Sequence, residues 1–366
     1  MAETDQKVYK LNNAMAYYKK LLDDDIRTYS KYIKQSTLEN YGDNSLVATD
    51  VYLDILSRGG KRLRGGLVIT GYEMCGGEDQ RMIIQAARAI EMIHAYLLII
   101  DDITDRSDTR RGKPSAHKLL SNYYVDNKLG KDAEHFGESV AMTSALLGNH
   151  AAQMIMANLD VREDFRLNAL SILNRGMIIT INGQFNDVFN QYNHQVAESD
   201  VDNVTKWKSA HYTFLNSLHI GMILAGADCH STDAITEYAM QTGEAFQIRD
   251  DILGIFGDET RLGKSTLDDI QEGKRTLLVV YALDHTNDED KKFLMSMLGN
   301  QKITRADFLR CQDIIKSSGA LDYAQQKAQR CIQAALKSLD QESKRWRVEN
   351  VDFLRELSLS LNDRTS

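Results

Sequence analysis

From Arg81 to Ile100 the chain reads RMIIQAARAIEMIHAYLLII, apolar on nearly every side except for Arg88, Glu91 and His94, which recur every third residue along one stripe. That pattern predicts a helix in the middle of a bundle. Ser139 to Leu159 reads similarly, and its small residues (Ala141, Ala145, Gly148, Ala151, Ala152) predict close approach of neighbouring helices. Further helical periodicity covers about 166–190, 204–228, 233–253, 275–285 and 304–339. No run of alternating apolar and polar residues is convincing enough to predict a sheet. Breaks are predicted at Gly59-Gly60, Gly76-Gly77, Arg106 to Pro114, Asn193 to Asp202, Gly257 to Gly273 and His285 to Asp290. None is a long flexible linker, and there is no internal repeat of solenoid period. The expectation is an all-α fold, with residues 1–366 forming a single large helical bundle around a central cavity. A charged helical extension precedes it and a polar tail follows Arg347.

Composition sharpens this picture. Pro114 is the single proline in 366 residues, and prolines ordinarily punctuate strands, turns and helix ends, so long uninterrupted helices are favoured. A formal net charge of -8 argues against a nucleic-acid partner, which needs a positive surface field. Cys75, Cys229, Cys311 and Cys331 are far apart, with no zinc-ligand spacing, and read as reduced thiols of a cytoplasmic protein. Met1 to Lys20 has no apolar core of the secretory type. The most apolar stretch, Ala95 to Ile100, is far shorter than the ~20 residues of a bilayer span, so no transmembrane segment is expected.

The candidate chemistry sits where the central apolar segment ends. Asp101 and Asp105 are four apart and share a helix face, with Asp102 beside them. Three carboxylates that close raise one another's pKa unless a cation neutralises them. Hard oxygen ligands without His or Cys suit Mg²⁺, which takes one or two carboxylates plus substrate phosphate oxygens. Asp250-Asp251 follows a second largely apolar helix, and two such helices face to face would form a multi-metal clamp for a diphosphate. The plainer alternative for any Asp pair is a solvated helix end, which is how Asp23-Asp24-Asp25 and Asp268-Asp269 read. Basic residues beside glycines recur at Gly59-Gly60-Lys61-Arg62-Leu63-Arg64, Arg110-Arg111-Gly112-Lys113, Gly263-Lys264 and Gly273-Lys274-Arg275. Glycine permits close backbone approach to phosphate and arginine offers a bidentate fork. Lys61 and Arg64 share a face if their turn is helical. His94 is either a ligand or a core histidine satisfied by Glu91, three residues earlier.

The ordered motifs GGKRLR (59–64), EMIHAYLLIIDDITD (91–105), TRRGKP (109–114), GQFND (183–187), KSAHYTF (208–214), FQIRDDILGIFGD (246–258) and GKSTLDDIQEGKRT (263–276) resemble those of the trans-prenyl diphosphate synthases. Within that group the chain is most similar to short-chain geranylgeranyl diphosphate synthases, over a motif-bearing core of about 50–283. The resemblance implies the isoprenoid synthase fold, a homodimer, and condensation of isopentenyl diphosphate with dimethylallyl, geranyl or farnesyl diphosphate. It implies that Asp101, Asp102 or Asp105, and Asp250, with Asp251 in a lesser part, hold Mg²⁺, about three ions per site. Arg110, Lys208, Lys264 and Lys274 would cage the allylic diphosphate. Gly60, Lys61, Arg64, His94 and Arg111 match the isopentenyl diphosphate site, while Ser209 and Gln247 match positions beside the reacting allylic carbon. Gly254 departs from the pattern by replacing the third aspartate of the second acidic motif, and Gly66, Asn149 and Ser217 depart in ways that affect local backbone. Tyr96 and Leu97, about one turn before Asp101, are expected to form the floor that limits the product to C20, with C15 as the alternative. Two rival readings are a class I terpene cyclase and a non-catalytic subunit of a heteromeric synthase. The basic loop argues against the first and the intact carboxylates argue against the second.

Overall fold

The computed structural model describes residues 2–193, 195–258 and 266–362, with side chains described from Leu11 onward. The helices run α1 (Ala2–Tyr41), α2 (Asp43–Ser57), α3 (Leu63–Met74), α4 (Gln80–Thr104), α5 (Ala116–Asp126), α6 (Ala133–Ala157), α7 (Glu163–Tyr192) and α8 (Glu198–Val204). A π-helical stretch, Thr205–Asn216, joins α8 to α9 (Ser217–Leu224). Then come α10 (Cys229–Phe256), α11 (Asp268–Gln271), α12 (Leu277–His285), α13 (Asp288–Met297), α14 (Arg305–Ser317), α15 (Ala320–Glu342) and α16 (Val348–Ser360). The fold is all-α, as the periodicity predicts. Among the described residues the sole extended pair is a two-residue antiparallel ribbon, β1 (Thr109–Arg110) with β2 (Lys113–Pro114), inside a predicted break.

The buried central helix is α4, whose Ala86, Ala87, Ala89, Ile90, Ile93 and Ile99 are shut off from solvent against α3 and α6. By length and composition α4 could cross a membrane, which the short window Ala95 to Ile100 did not suggest, yet it lies inside the bundle. Asp79 starts it, accepting from the Met82 amide at 3.0 Å in an N-cap. One apolar cluster surrounds α4, and a second gathers Ile252, Ile255, Phe308 and Ile315 from α10 and α14.

The ends of the chain differ from expectation. The tail after Arg347 is not simply polar: α16 buries Val351, Phe353, Leu354 and Leu357, and Tyr238 of α10 donates to the Leu354 carbonyl at 2.7 Å. The apolar stripe of two turns is diluted in sequence by Glu and Arg on the outer face. Likewise α1 is helical as expected but not an appendage, because Leu11, Tyr18, Leu22 and Ile26 are buried in the main cluster. The predicted 304–339 helix is divided at Gly319, whose φ of +82° ends α14 and starts α15.

Candidate active site

Asp101 and Asp102 occupy the last turn of α4 and Asp105 its C-cap, where the negative end of the helix macrodipole makes carboxylates unfavourable without cations. The cations are supplied from elsewhere in the chain. Lys208 donates to Asp101 at 3.2 Å and to Asp187 of α7 at 2.7 Å. Lys274 stands 2.5 Å from Glu272, 3.4 Å from Asp105 and 3.9 Å from Asp269. Arg110, carried by the β ribbon, donates through Nε to Asp102 at 2.8 Å and again through Nη2. Burial opposes the charge on Lys208 and Lys274, but the surrounding carboxylates outweigh it and hold both pKa values above the ordinary lysine range. Burial likewise acts to raise Asp101, and Lys208, Lys274 and Arg110 win, lowering it. For Asp102 burial prevails over Arg110 and pushes the carboxyl up to about 6.

The sequence suggested that all of these carboxylates face the cavity. Asp102 does not: its side chain is fully buried and turned to Arg110. Among the described residues Asp102 Oδ2 and Asp105 Oδ1 have no hydrogen-bond partner.

Facing α4 are α10 and the π-helical stretch, an element type that recurs at functional sites. Ser209 donates to Gln247 Oε1 at 2.5 Å, and Gln247 Nε2 donates to Asp251 at 2.8 Å, which fixes the amide's orientation. One cleft is lined by Asp187, Lys208, Ser209, Gln247, Asp250, Asp251, Asp269 and Lys274, so the second acidic motif meets lysines that also touch the first. Burial and then the charge of Asp269 push Asp251 up to about 8. Asp269, read in sequence as solvated, is 7 % exposed. A Cβ at Gly254 would fall on its Oδ2, so the space an aspartate at 254 would need is filled by a carboxylate from α11. Lys264, expected in the same cage, lies outside the described residues.

The second constellation lies nearer the N-terminal end of α4, about two turns before Asp101, where His94 meets Arg64. Gly59 and Gly60 have φ of +88° and +112°, and Arg62 also adopts the left-handed conformation at +52°. Arg62 is buried and holds this turn, donating to Asp23 at 2.8 Å, to the Leu56 carbonyl at 2.8 Å and to Glu91 at 3.3 Å. Asp23 is therefore an anchor and not a solvated acid. Glu91 also accepts from the Gly65 amide at 2.9 Å, so it does not satisfy His94 as the helical spacing suggested. Instead His94 Nε2 is 3.1 Å from Arg64 Nη1. Burial, followed by Arg64 and Arg111, holds the imidazole well below its ordinary pKa and neutral. Arg64 also lies over the Tyr212 ring at 4.8 Å. Arg64 Nε, His94 Nδ1 and the Tyr212 hydroxyl are buried without partners among the described residues. Arg111 reaches the Gly59 carbonyl, and a Cβ on Gly60 would stand 2.6 Å from its Nη2. Lys61 is exposed at the same turn.

The structure thus brings Asp101, Asp105, Lys208, Ser209, Gln247, Asp250, Asp251 and Lys274 to one region, and Gly60, Lys61, Arg64, His94 and Arg111 to another. Tyr96 and Leu97 are half-buried against the main core, on α4 before the acidic turn. Sequence reasoning overlooked Asp187, Tyr212 and Asp269. All three lie within quoted motifs, and only Asp269 carried the acidic-pair signal. All-oxygen donors with orphaned carboxylate atoms fit a hard divalent cation. Among the described residues no three acids converge closely enough to hold a metal by themselves, because Lys208 and Lys274 stand between them.

The polyprenyl synthetase family model matches residues 47–315. The geranylgeranyl diphosphate synthase of Saccharolobus solfataricus is 33% identical over 285 residues, 78% of this chain and 81% of that protein. The geranylfarnesyl diphosphate synthase of Aeropyrum pernix is 32% identical over 304 residues, 80% and 88% of the two chains. Among solved structures, geranylgeranyl pyrophosphate synthase of Corynebacterium glutamicum, complexed with isoprenyl diphosphate and magnesium, superposes with a TM-score of 0.90 at 28% identity, covering 95% of this chain and 98% of the other. With a carboxylate cluster at the end of α4, a cationic cluster about His94 and matches over most of its length, this chain belongs to the polyprenyl synthetase family.

Proposed function

We propose that the protein condenses isopentenyl diphosphate head-to-tail with an allylic diphosphate to give a short-chain all-trans prenyl diphosphate, geranylgeranyl diphosphate in particular. The observation that carries this reading is the pair of sites along α4, one of carboxylates bridged by lysines at its C-terminal end and one of cations about His94 whose donors are unpartnered among the described residues. Two diphosphates are needed for condensation, whereas a cyclase needs one. Supplying an allylic diphosphate without isopentenyl diphosphate should therefore give no hydrocarbon product, and a cyclised terpene in that incubation would refute the assignment.

Asp101, Asp105 and Asp250, with Asp102 and Asp251 adjoining, would hold Mg²⁺ once substrate phosphate oxygens complete the coordination. Bound there, the metal would neutralise the departing diphosphate. Lys208, Lys274 and Arg110 bind its remaining oxygens, and the Ser209 hydroxyl and Gln247 amide present oxygen dipoles to the allylic cation. Gly60, Lys61, Arg64, His94 and Arg111 orient isopentenyl diphosphate so that its double bond meets that cation, and the proton lost passes to the released diphosphate. Substrates filling the cleft would exclude water, which would otherwise capture the cation.

Product length follows from the direction of α4. A chain anchored at Asp101 grows toward the N-terminal end of α4, and Tyr96 lies about 7.5 Å along the axis. Tyr96→Ala is expected to shift the product beyond C20, read by chromatography of the dephosphorylated prenols. An unchanged distribution in an active, folded variant would place the floor elsewhere.

We infer that the whole chain folds as one cytoplasmic domain and functions as a homodimer. The exposed apolar residues Met142, Leu146 and Met154 of α6 and Ile178, Phe185 and Phe189 of α7 support self-association, as does the free state of all four cysteines for the location. Sedimentation should give a dimer at micromolar concentration, and a monomer there would contradict it.

A further inference from the structure

A second cavity, about 380 Å³, opens between the link from α7 to α8, α12 and α13. Arg275 lies against it, 9 % exposed. Its Nη2 donates to the Asn193 carbonyl at 3.3 Å, Nη1 reaches the Met295 sulfur at 3.6 Å, and Nε has no partner among the described residues. A thioether is a weak acceptor, so five N–H donors meet one carbonyl and little else. Burial lowers the Arg275 pKa, and among the described residues no carboxylate forms an ion pair with it. Arg275 also precedes the N-cap Thr276 of α12, where the positive end of the macrodipole disfavours a cation. A buried charge without a counter-ion is costly, which makes an external anion the natural complement.

Arg275 borders the candidate active site as well, but its Nη1 reaches toward the wall of this second cavity. Met295, which its Nη1 reaches, lines this cavity and not the other. Val196, Val280 and Leu283 supply apolar wall, and Lys291 is exposed at the rim. Two acids also border the space: Asp200, which accepts from the Ala197 amide at 3.0 Å, and exposed Asp284. Their charges disfavour a polyanion such as diphosphate.

We propose that this cavity binds a small amphipathic monoanion, its oxyanion on the Arg275 guanidinium and its apolar part between Val196, Val280, Leu283 and Met295, separate from both diphosphate sites. A carboxylate matches the guanidinium fork. The probe is 3-methylbutanoate, titrated calorimetrically into the full-length protein without Mg²⁺. Saturable binding of one molecule per chain is expected, about tenfold or more tighter than acetate because the apolar walls are used. Arg275→Gln should weaken it at least tenfold. Leu283→Trp, which fills the cavity and leaves Arg275 in place, should abolish it. Lys61→Ala and Lys208→Ala should bind the probe as the wild type does. No saturable binding to wild type, undiminished binding to a folded Arg275→Gln or Leu283→Trp variant, or loss in Lys61→Ala or Lys208→Ala would overturn the proposal.

Discussion

Asp101→Ala is expected to lower kcat by about a thousandfold or more while leaving the helical fold intact, since the carboxylate would hold metal against the departing diphosphate. Asp101 is half-buried at the end of α4, and its Lys208 partner retains a bond of 2.7 Å to Asp187, so the substitution opens no core cavity. Asp102→Ala should behave differently. The Asp102 side chain is fully buried against Arg110, and removing one partner of such a pair costs about 3–5 kcal/mol of stability. Turnover with Mg²⁺ and thermal unfolding followed by circular dichroism separate the two effects. Wild-type turnover of Asp101→Ala, or activity that survives excess chelator, would sink the metal proposal.

The two substrate sites should separate by mutation. Lys61→Ala is expected to raise the KM for isopentenyl diphosphate more than that for the allylic substrate. Lys208→Ala is expected to do the reverse. Each lost charge-assisted contact costs about 1.5–3 kcal/mol, or roughly ten- to a hundredfold in KM. The expectation rests on placement: Lys61 is exposed in the turn that holds Arg111, whereas Lys208 stands between Asp101 and Asp187. Initial rates with each substrate varied against saturating partner decide it. Equal shifts in both KM values would contradict the assignment.

Most of the first acidic site was legible because a long apolar run leads directly into Asp101, and periodicity places Asp101 and Asp105 on one face. What remained hidden depends on long-range pairing. Nothing local marks Asp23 as the anchor of Arg62, 39 residues away, or Asp187 as the partner of Lys208. Helical spacing offered Glu91 as one of two alternatives for His94, but a buried guanidinium and a backbone amide compete more strongly for its oxygens. Asp269 looked like one more solvated acid until the missing side chain at Gly254 left room for its carboxylate. At the C-terminus, α16 was diluted by charged residues on its outer face, so a buried stripe was mistaken for a tail.

The central claim is condensation of two diphosphate substrates. It is tested most directly by incubating the purified protein with Mg²⁺, labelled isopentenyl diphosphate and dimethylallyl, geranyl or farnesyl diphosphate, then sizing the prenols after phosphatase treatment. The account predicts label in all-trans products ending at geranylgeraniol, with none when Mg²⁺ is withheld; failure to incorporate label with any of the three starters would contradict it.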